Sequence, residues 1–267
     1  MQLTSENYYS QEANQEYLSV SQYKDFVGTW GRPGCEEYAL AKLNGTWVEN
    51  MEDSDALMVG SYVDSHFEGT LDLFKAQHPC MFKKDGNLQA KYLKANEMIQ
   101  RCERDSSFMN YMSGEKQVIM TAEMFGANWK IKIDSYHPDM CIVDLKTCQS
   151  INKSFWHKDT GCINFLAEWG YYIQGAVYQE VVRLNTGKKL PFYIAAISKE
   201  KVPDIRLIQC EQALLDEALV EVKSNVTHIL RLKSHEIEPL RCDHCDYCKH
   251  TRVLDGPIWS SDLIGDV

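Results

Sequence analysis

Apolar positions recur every three to four residues along most of the chain and change to alternation or short continuous runs in three stretches. The helical rhythm begins with SVSQYKDFVGTW (19–30), where Ser19 is placed to cap a helix. CEEYALAKLNG (35–45) continues it and stops at Gly45. In DALMVGSYVDSHFEGTLDLFKAQ (55–77), Leu57, Val59, Tyr62, Val63, Phe67 and Leu71 fall near helical spacing, and NLQAKYLKANEMIQRCERD (87–105) reads as a further helix. The rhythm then changes. KQVIMTAEMFGANWKIKIDSY (116–136) is two β-rich runs about a GAN turn, and MCIVDLKTC (140–148) is a short apolar strand. FLAEWGYYIQGAVYQEVVRLNTG (165–187) predicts a long amphipathic helix ending at Gly187, LPFYIAAISKE (190–200) a buried strand, and CEQALLDEALVEVKSNVTHILRLKSH (210–235) the last long helix. Helices, a three-strand meander, helix, strand and helix make a mixed α/β core with a helical N-terminal section.

Composition narrows the class. The 267 residues are 44% hydrophobic and 25% charged, as in globular domains. No apolar run reaches the roughly 20 residues that span a bilayer, and the polar, acidic start does not resemble a secretory signal, so a cytoplasmic location and no membrane partner are expected. A formal net charge of −10 excludes a broadly basic surface, so any nucleic-acid site must be a local groove. Ten cysteines in such a chain suit reduced thiols or metal ligands better than disulfides. Seven are scattered, whereas Cys242, Cys245 and Cys248 share the metal-type spacing of RCDHCDYCKH.

The chemistry concentrates in IKIDSYHPDMCIVDLKT (131–147). Asp134 ends one strand, and a turn through His137, Pro138 and Asp139 follows. Asp144 and Lys146 then lie two apart on the next strand, so their side chains share a face. Two carboxylates and an ammonium on an apolar element are costly to bury without a use. Their oxygens suit Mg²⁺ or Mn²⁺, and the lysine can orient or deprotonate water or stabilise phosphate charge. The bland alternative is a solvated hairpin edge.

Asp134 followed by Asp144-Leu145-Lys146-Thr147 resembles the GxxD…(D/E)xK-T pattern of RecB-like PD-(D/E)xK nucleases. YYIQGAVYQEVV (171–182) resembles that branch's QxxxY helix, with Gln174 and Tyr178 one turn apart. GSYVDSHFEG (60–69) is similar to its GxxxH…E helix, but Asp64 stands where the family has histidine; this leaves Asp64, His66 and Glu68 as candidate ligands, with Asp64 favoured. SVSQYKDF (19–26) resembles the SxS segment that opens these domains. The nearest likeness is to phage and prophage exonucleases of the exonuclease VIII (RecE) type. The resemblance implies an α/β restriction-endonuclease-like core, a mixed central sheet flanked by helices. One unit over 1–267 is expected, divided into a helical section (1–54), the nuclease core (55–235) and a Cys-rich segment with tail (236–267).

The activity implied is Mg²⁺- or Mn²⁺-dependent 5′→3′ exonuclease action at double-stranded DNA ends. A single-strand annealing partner, a role in recombination in a bacterial or phage-infected cell, and a homo-oligomer are also implied. Asp64, Asp134, Asp144 and the Leu145 carbonyl would hold metal; Lys146, Gln174 and Tyr178 would serve catalysis, Gln174 on a phosphate or the lysine. Tyr178 reads equally well as core, and Glu123 better as an exposed strand residue than as a further acid. A structure-specific or single-strand endonuclease on the same fold, and an inactive DNA-binding recombination scaffold, are the other readings. Cys35, ahead of the core, resembles the single N-terminal ligand of RecB-like nucleases that carry a [4Fe–4S] cluster with three later cysteines. Zn²⁺ held with His244 or His250, and free thiols, are the alternatives. Phe155, Trp156 and Trp169 are expected to be packing residues, and the tail DGPIWSSDLIGDV a frayed end or a partner-binding segment.

Overall fold

In the computed structural model, which describes residues 1–49, 52 and 54–260, the chain opens with α1 (Gln11–Glu16), α2 (Val20–Val27) and α3 (Glu36–Leu43). The two-residue strands β1 (Gly28–Thr29) and β2 (Arg32–Pro33) lie between α2 and α3. The Ser19 side chain accepts from Gln22 N–H at 3.3 Å, the cap expected of it. The single helix expected over 55–77 is two, α4 (Asp55–Glu68) and α5 (Leu71–Gln77). Gly69 separates them in a left-handed conformation, φ +80°, and its N–H closes the first helix on His66. The 87–105 helix is shorter than its periodicity suggested. Leu88 bridges to Phe82, so α6 begins at Leu93 and runs to Glu103, followed by α7 (Ser106–Tyr111).

The three-strand meander forms, but Asp134, expected to end its strand, lies inside it, three residues before the strand stops at His137. Strands β3 (Glu115–Met124) and β4 (Ala127–His137) pair antiparallel, and β4 turns back into β5 (Cys141–Cys148). The first turn sits one residue earlier than expected. Phe125 and Gly126 both have positive φ, a two-residue hairpin turn, and Ala127 and Asn128 already belong to β4. A small hairpin, β6 (Phe155–His157) with β7 (Gly161–Ile163), then precedes α8 (Phe165–Glu168) and α9 (Tyr171–Thr186). These two helices were expected as one. Gly170 breaks them at φ +64°, where an added Cβ would lie 2.9 Å from Thr29 Cγ2. The chain crosses to β8 (Phe192–Ser198), parallel to β5, and returns on β9 (Ile205–Gln209), an edge strand that the sequence reading missed. It ends in α10 (Gln212–Lys233) and the short α11 (Asp246–His250).

The five-stranded sheet has the order β3-β4-β5-β8-β9. Its faces bury separate cores. One gathers Tyr23, Val177, Val181, Phe192, Ile194 and Val222 beneath α2, α9 and α10. The other gathers Met58, Val63, Met98, Val143, Leu145 and Ala195 beneath α4 and α6. Two glycines set helix heights above the sheet. A Cβ on Gly60 would lie 2.8 Å from Thr147 Oγ1, and one on Gly175 would lie 2.6 Å from Phe192 Cδ1 and 2.8 Å from Leu215 Cδ2. Gly175→Ala therefore has to push α9 off β8. A destabilisation of about 1–3 kcal/mol is expected by overpacking, read as a shift of the urea midpoint; an unchanged midpoint would show that α9 has room to spare.

Candidate active site

The site lies where β4 and β5 part. Their ladder pairs His137 with Cys141, Tyr136 with Ile142 and Ser135 with Val143, and stops there. At the next step Asp134 Oδ2 accepts the Leu145 N–H at 2.9 Å, taking the place of a strand carbonyl. Gln117 on β3 donates to the other oxygen of Asp134 at 3.3 Å. On β5, Val143 and Leu145 enter the core under α4, while Ile142 faces the core under α9. Strand alternation puts Asp144 and Lys146 on the α9 side with Ile142. From α9, Gln174 Nε2 donates to Asp144 Oδ1 at 2.6 Å. Lys146 forms an ion pair with Asp144 Oδ2, and its ammonium lies 5.2 Å from the centre of the Tyr171 ring. From the opposite layer α4 brings Asp64 and Glu68 into the same cavity. The parting of the strands thus opens a route by which helices on both sheet faces reach one point.

Crowding of acids in a buried place has the electrostatic result expected of it. Burial, with Asp134 beside it, pushes the Asp64 carboxyl up to about 8 against the pull of Lys146. Burial also raises Asp144 to about 6, opposed by Lys146 and aided by Asp134. Burial works against the charge on Lys146, but Asp144, Tyr171 and Asp134 outweigh it and hold the ammonium above its usual range. Lys146 is therefore a cation here, suited to stabilising charge rather than to removing a proton. Asp64 Oδ1 is sealed from solvent without a hydrogen-bond partner, and Asp144 Oδ2 has its ion pair but no hydrogen bond. Carboxylate oxygens left short of partners are the donor set that a hard divalent cation takes, and the residues fit Mg²⁺ or Mn²⁺.

A pH dependence follows. Both carboxyls have folded values above that of an unfolded aspartate, so their contribution to stability is fully present below about pH 4. It fades as pH rises through about 6 and then about 8. A divalent ion binds the deprotonated forms and releases those protons. Protein freed of exchangeable divalent ions should gain more in melting temperature from Mn²⁺ at pH 8 than at pH 6. Equal gains at the two pH values would contradict this coupling.

The cavity has a volume of about 410 Å³ and is lined by five lysines (Lys24, Lys42, Lys130, Lys132 and Lys146) and five carboxylates. The signs balance in a protein of net charge −10, so bound divalent ions would make this cavity positive. Lys24 was not singled out by the sequence, although it lies in the SVSQYKDF segment. Burial and the nearby Lys146 bring its ammonium down to about 8, against Asp144, and it donates to Trp169 O at 3.1 Å. Lys130 and Lys132 were also missed. They alternate with Asp134 along KIKID, a period-two signal that puts all three on one face.

Other candidates separate clearly. His66 turns to Glu103 at 3.0 Å and does not line the cavity, whereas Asp64 and Glu68 do. Gln174 reaches Asp144 rather than the lysine. Tyr178 is both core and site: its ring packs on Phe192, and its hydroxyl donates to Lys132 O at 3.1 Å along the cavity wall. Glu123 is exposed on β3. Trp156 corrects the packing expectation, because it sits 71% exposed on the small hairpin; Trp169 is partly exposed and Phe155 packs against the core. Residues 261–267 of the tail lie outside the described residues.

Residues 19–251 match the model of a family described as "PDDEXK-like domain of unknown function (DUF3799)". The chain belongs to this PDDEXK-like family. A crystal structure of a "putative exonuclease" from Eubacterium rectale is 57% identical, covers 100% of both chains and superposes with a TM-score of 0.96. No curated protein matches. The mixed five-stranded sheet flanked by helices is thus the PDDEXK-like architecture. No helix among the described residues is long and apolar enough to cross a membrane.

This PDDEXK-like chain also brings its ends together. The sulfurs of Cys35, Cys242, Cys245 and Cys248 all lie within 4.8 Å of one another. Cys35 Sγ is 3.5 Å and Cys242 Sγ 3.9 Å from Cys248 Sγ. The clasp around them is polar: Arg241 pairs with Glu37, and Leu240 N–H donates to Glu36 at 2.8 Å. Burial opposes ionisation of Cys242, but the N–H groups of His244 and Cys245 bring it down to about 7. Burial and the neighbouring sulfurs push Cys245 up to about 12. Neither His244 nor His250 belongs to the ligand group, and His250 packs on Trp47 with ring centres 5.5 Å apart. With Cys35 as the fourth donor, no histidine is required.

Proposed function

We propose that this protein is a Mg²⁺- or Mn²⁺-dependent DNA exonuclease that hydrolyses phosphodiester bonds from double-stranded ends. The observation that carries the reading is the convergence of Asp64, Asp134 and Asp144 with Lys146 in one lysine-lined cavity. The likeness to the protein described as a "putative exonuclease" supports it. Asp64, Asp134 and Asp144, with the Leu145 carbonyl, would hold the metal. When bound, it supplies charge neutralisation for the phosphate and polarises water. Hydrolysis adds the water oxygen to phosphorus, breaks the bond to the leaving oxygen, and transfers a proton to that oxygen. Lys146, held as an ammonium by Asp144, stabilises charge building on the phosphate and orients the water. Gln174 fixes the Asp144 carboxylate. Lys24 and Lys132 meet flanking phosphates. The polarity 5′→3′, a single-strand annealing partner in recombination and a ring-forming homo-oligomer in the cytoplasm complete the proposal by resemblance to RecE-type enzymes.

We further propose that the four cysteines hold a structural metal. A Zn–S length of ~2.3 Å gives tetrahedral sulfur–sulfur edges of about 3.8 Å, close to two of the separations found, with all four sulfurs within 4.8 Å of one another. The [4Fe–4S] cluster implied by resemblance is the other group that these four thiolates would hold.

Linear and covalently closed circular duplexes incubated with Mg²⁺ test the activity. Loss of the linear form with an intact circle is expected. Cutting of the circle would make the protein an endonuclease, and hydrolysis of neither would remove the nuclease reading.

A further inference from the structure

The segment before residue 19 lies outside the region matched by the family, yet it is built into the site. Leu18 N–H donates to Asn128 O at 2.7 Å, and Lys130 N–H donates to Leu18 O at 3.0 Å, which lays the segment along β4. Lys130 is 1% exposed. Its ammonium donates to Tyr8 O at 2.5 Å and Asn14 Oδ1 at 2.7 Å, with no ion pair among the described residues. A buried charge with such partners is costly unless it holds something in place, and what it holds is the turn carrying Tyr8 and Tyr9. Both tyrosines line the cavity that contains Asp64 and Asp134.

Tyr9 is placed for use rather than for packing. It is 69% exposed and yet held, edge-on to Tyr8 with ring centres 4.9 Å apart at 84°. The Lys132 ammonium lies 4.7 Å from its ring centre. Lys132 stands two residues before Asp134 on the same strand face, and its ammonium forms no ion pair among the described residues. A ring that is 69% exposed, with an ammonium lacking an ion pair over one face, offers the rest of its π surface to a nucleobase and the ammonium to that strand's phosphate, since stacking tolerates any base.

We propose that the Tyr9 ring is a stacking surface for a nucleobase of the strand being cut, with Lys132 beside it contacting that strand's phosphate. The segment before residue 19 is then a wall of the substrate site. This rests on the nuclease reading. The test is a cycle of kcat/KM values on short duplexes, normal or carrying one abasic residue at each of the first three positions of the cut strand in turn. Tyr9→Ala should lower kcat/KM about tenfold on normal DNA, within the range of one stacked base, and Tyr9→Phe should retain wild-type values. At one abasic position the wild type should fall by a similar factor, and Tyr9→Ala should add less than a twofold loss there. Wild-type kinetics in Tyr9→Ala, or the same tenfold loss at every abasic position, would overturn the stacking role while leaving the nuclease reading intact. A wild-type protein that hydrolyses no DNA would overturn both.

Discussion

Asp144→Asn and Lys146→Ala should each lower DNA hydrolysis by at least about 10²–10³-fold, with the fold preserved. Asparagine keeps the shape of Asp144 and can still meet Gln174, but it removes the charge that a divalent ion and Lys146 both require. The loss expected is that of a group stabilising transition-state charge in a water-poor site, roughly 3–4 kcal/mol. Lys146→Ala removes the ion-pair partner of Asp144 and leaves that carboxylate buried beside Asp134, with Lys24 as a more distant cation. The two variants should differ in metal affinity: weakened in Asp144→Asn and kept or strengthened in Lys146→Ala, since Lys146 competes with the metal for Asp144. Circular dichroism would establish the fold, and Mg²⁺-dependent release of nucleotides from linear duplex the activity. Cleavage by Asp144→Asn within tenfold of wild type would remove Asp144 from the reaction.

The cysteine centre should matter to stability and hardly to the chemical step. Cys35 opens α3, whereas Cys242, Cys245 and Cys248 lie more than 200 positions later in the chain. A metal bound there closes a very long loop, at a site that the unfolded chain lacks. Cys245→Ser should cost on the order of 3 kcal/mol, or about 6–12 °C in melting temperature for a chain of this size. The kcat of the surviving protein should stay within about threefold of wild type. Metal analysis of anaerobically prepared protein identifies the ion. Zinc near one equivalent fits a single tetrahedral site, whereas iron with broad absorption near ~400 nm would restore the cluster. Less than about a tenth of an equivalent of both would exclude a metal staple.

The carboxylate–lysine set was legible in the sequence because strand alternation put Asp144 and Lys146 on one face, a hairpin could return Asp134 beside them, and the family resemblance chose this over a solvated hairpin edge. Cys35 and the CxxCxxC run were legible as a set only through resemblance, since spacing alone says nothing of a partner so far away. Three features escaped. The breaks at Gly69 and Gly170 were hidden because apolar periodicity continues across them, although both glycines take positive φ. The edge strand β9 was hidden by its length. Lys24, Lys130 and Tyr9 were missed because each becomes a site residue only through tertiary contact: Lys24 through α2 packing over α9, and Tyr9 through the anchoring of Tyr8 by Lys130. The choice among Asp64, His66 and Glu68 was likewise undecidable by spacing. The structure narrows it by turning His66 toward Glu103.

Whether this cavity is a metal-dependent nuclease centre is decided most directly by the crystal structure of the protein soaked in Mn²⁺ with a short DNA duplex. An anomalous peak within coordination distance of Asp64, Asp134 and Asp144, with a DNA phosphate between it and Lys146, is the result expected. Manganese absent from these carboxylates, or DNA seated away from Lys146, would contradict the assignment.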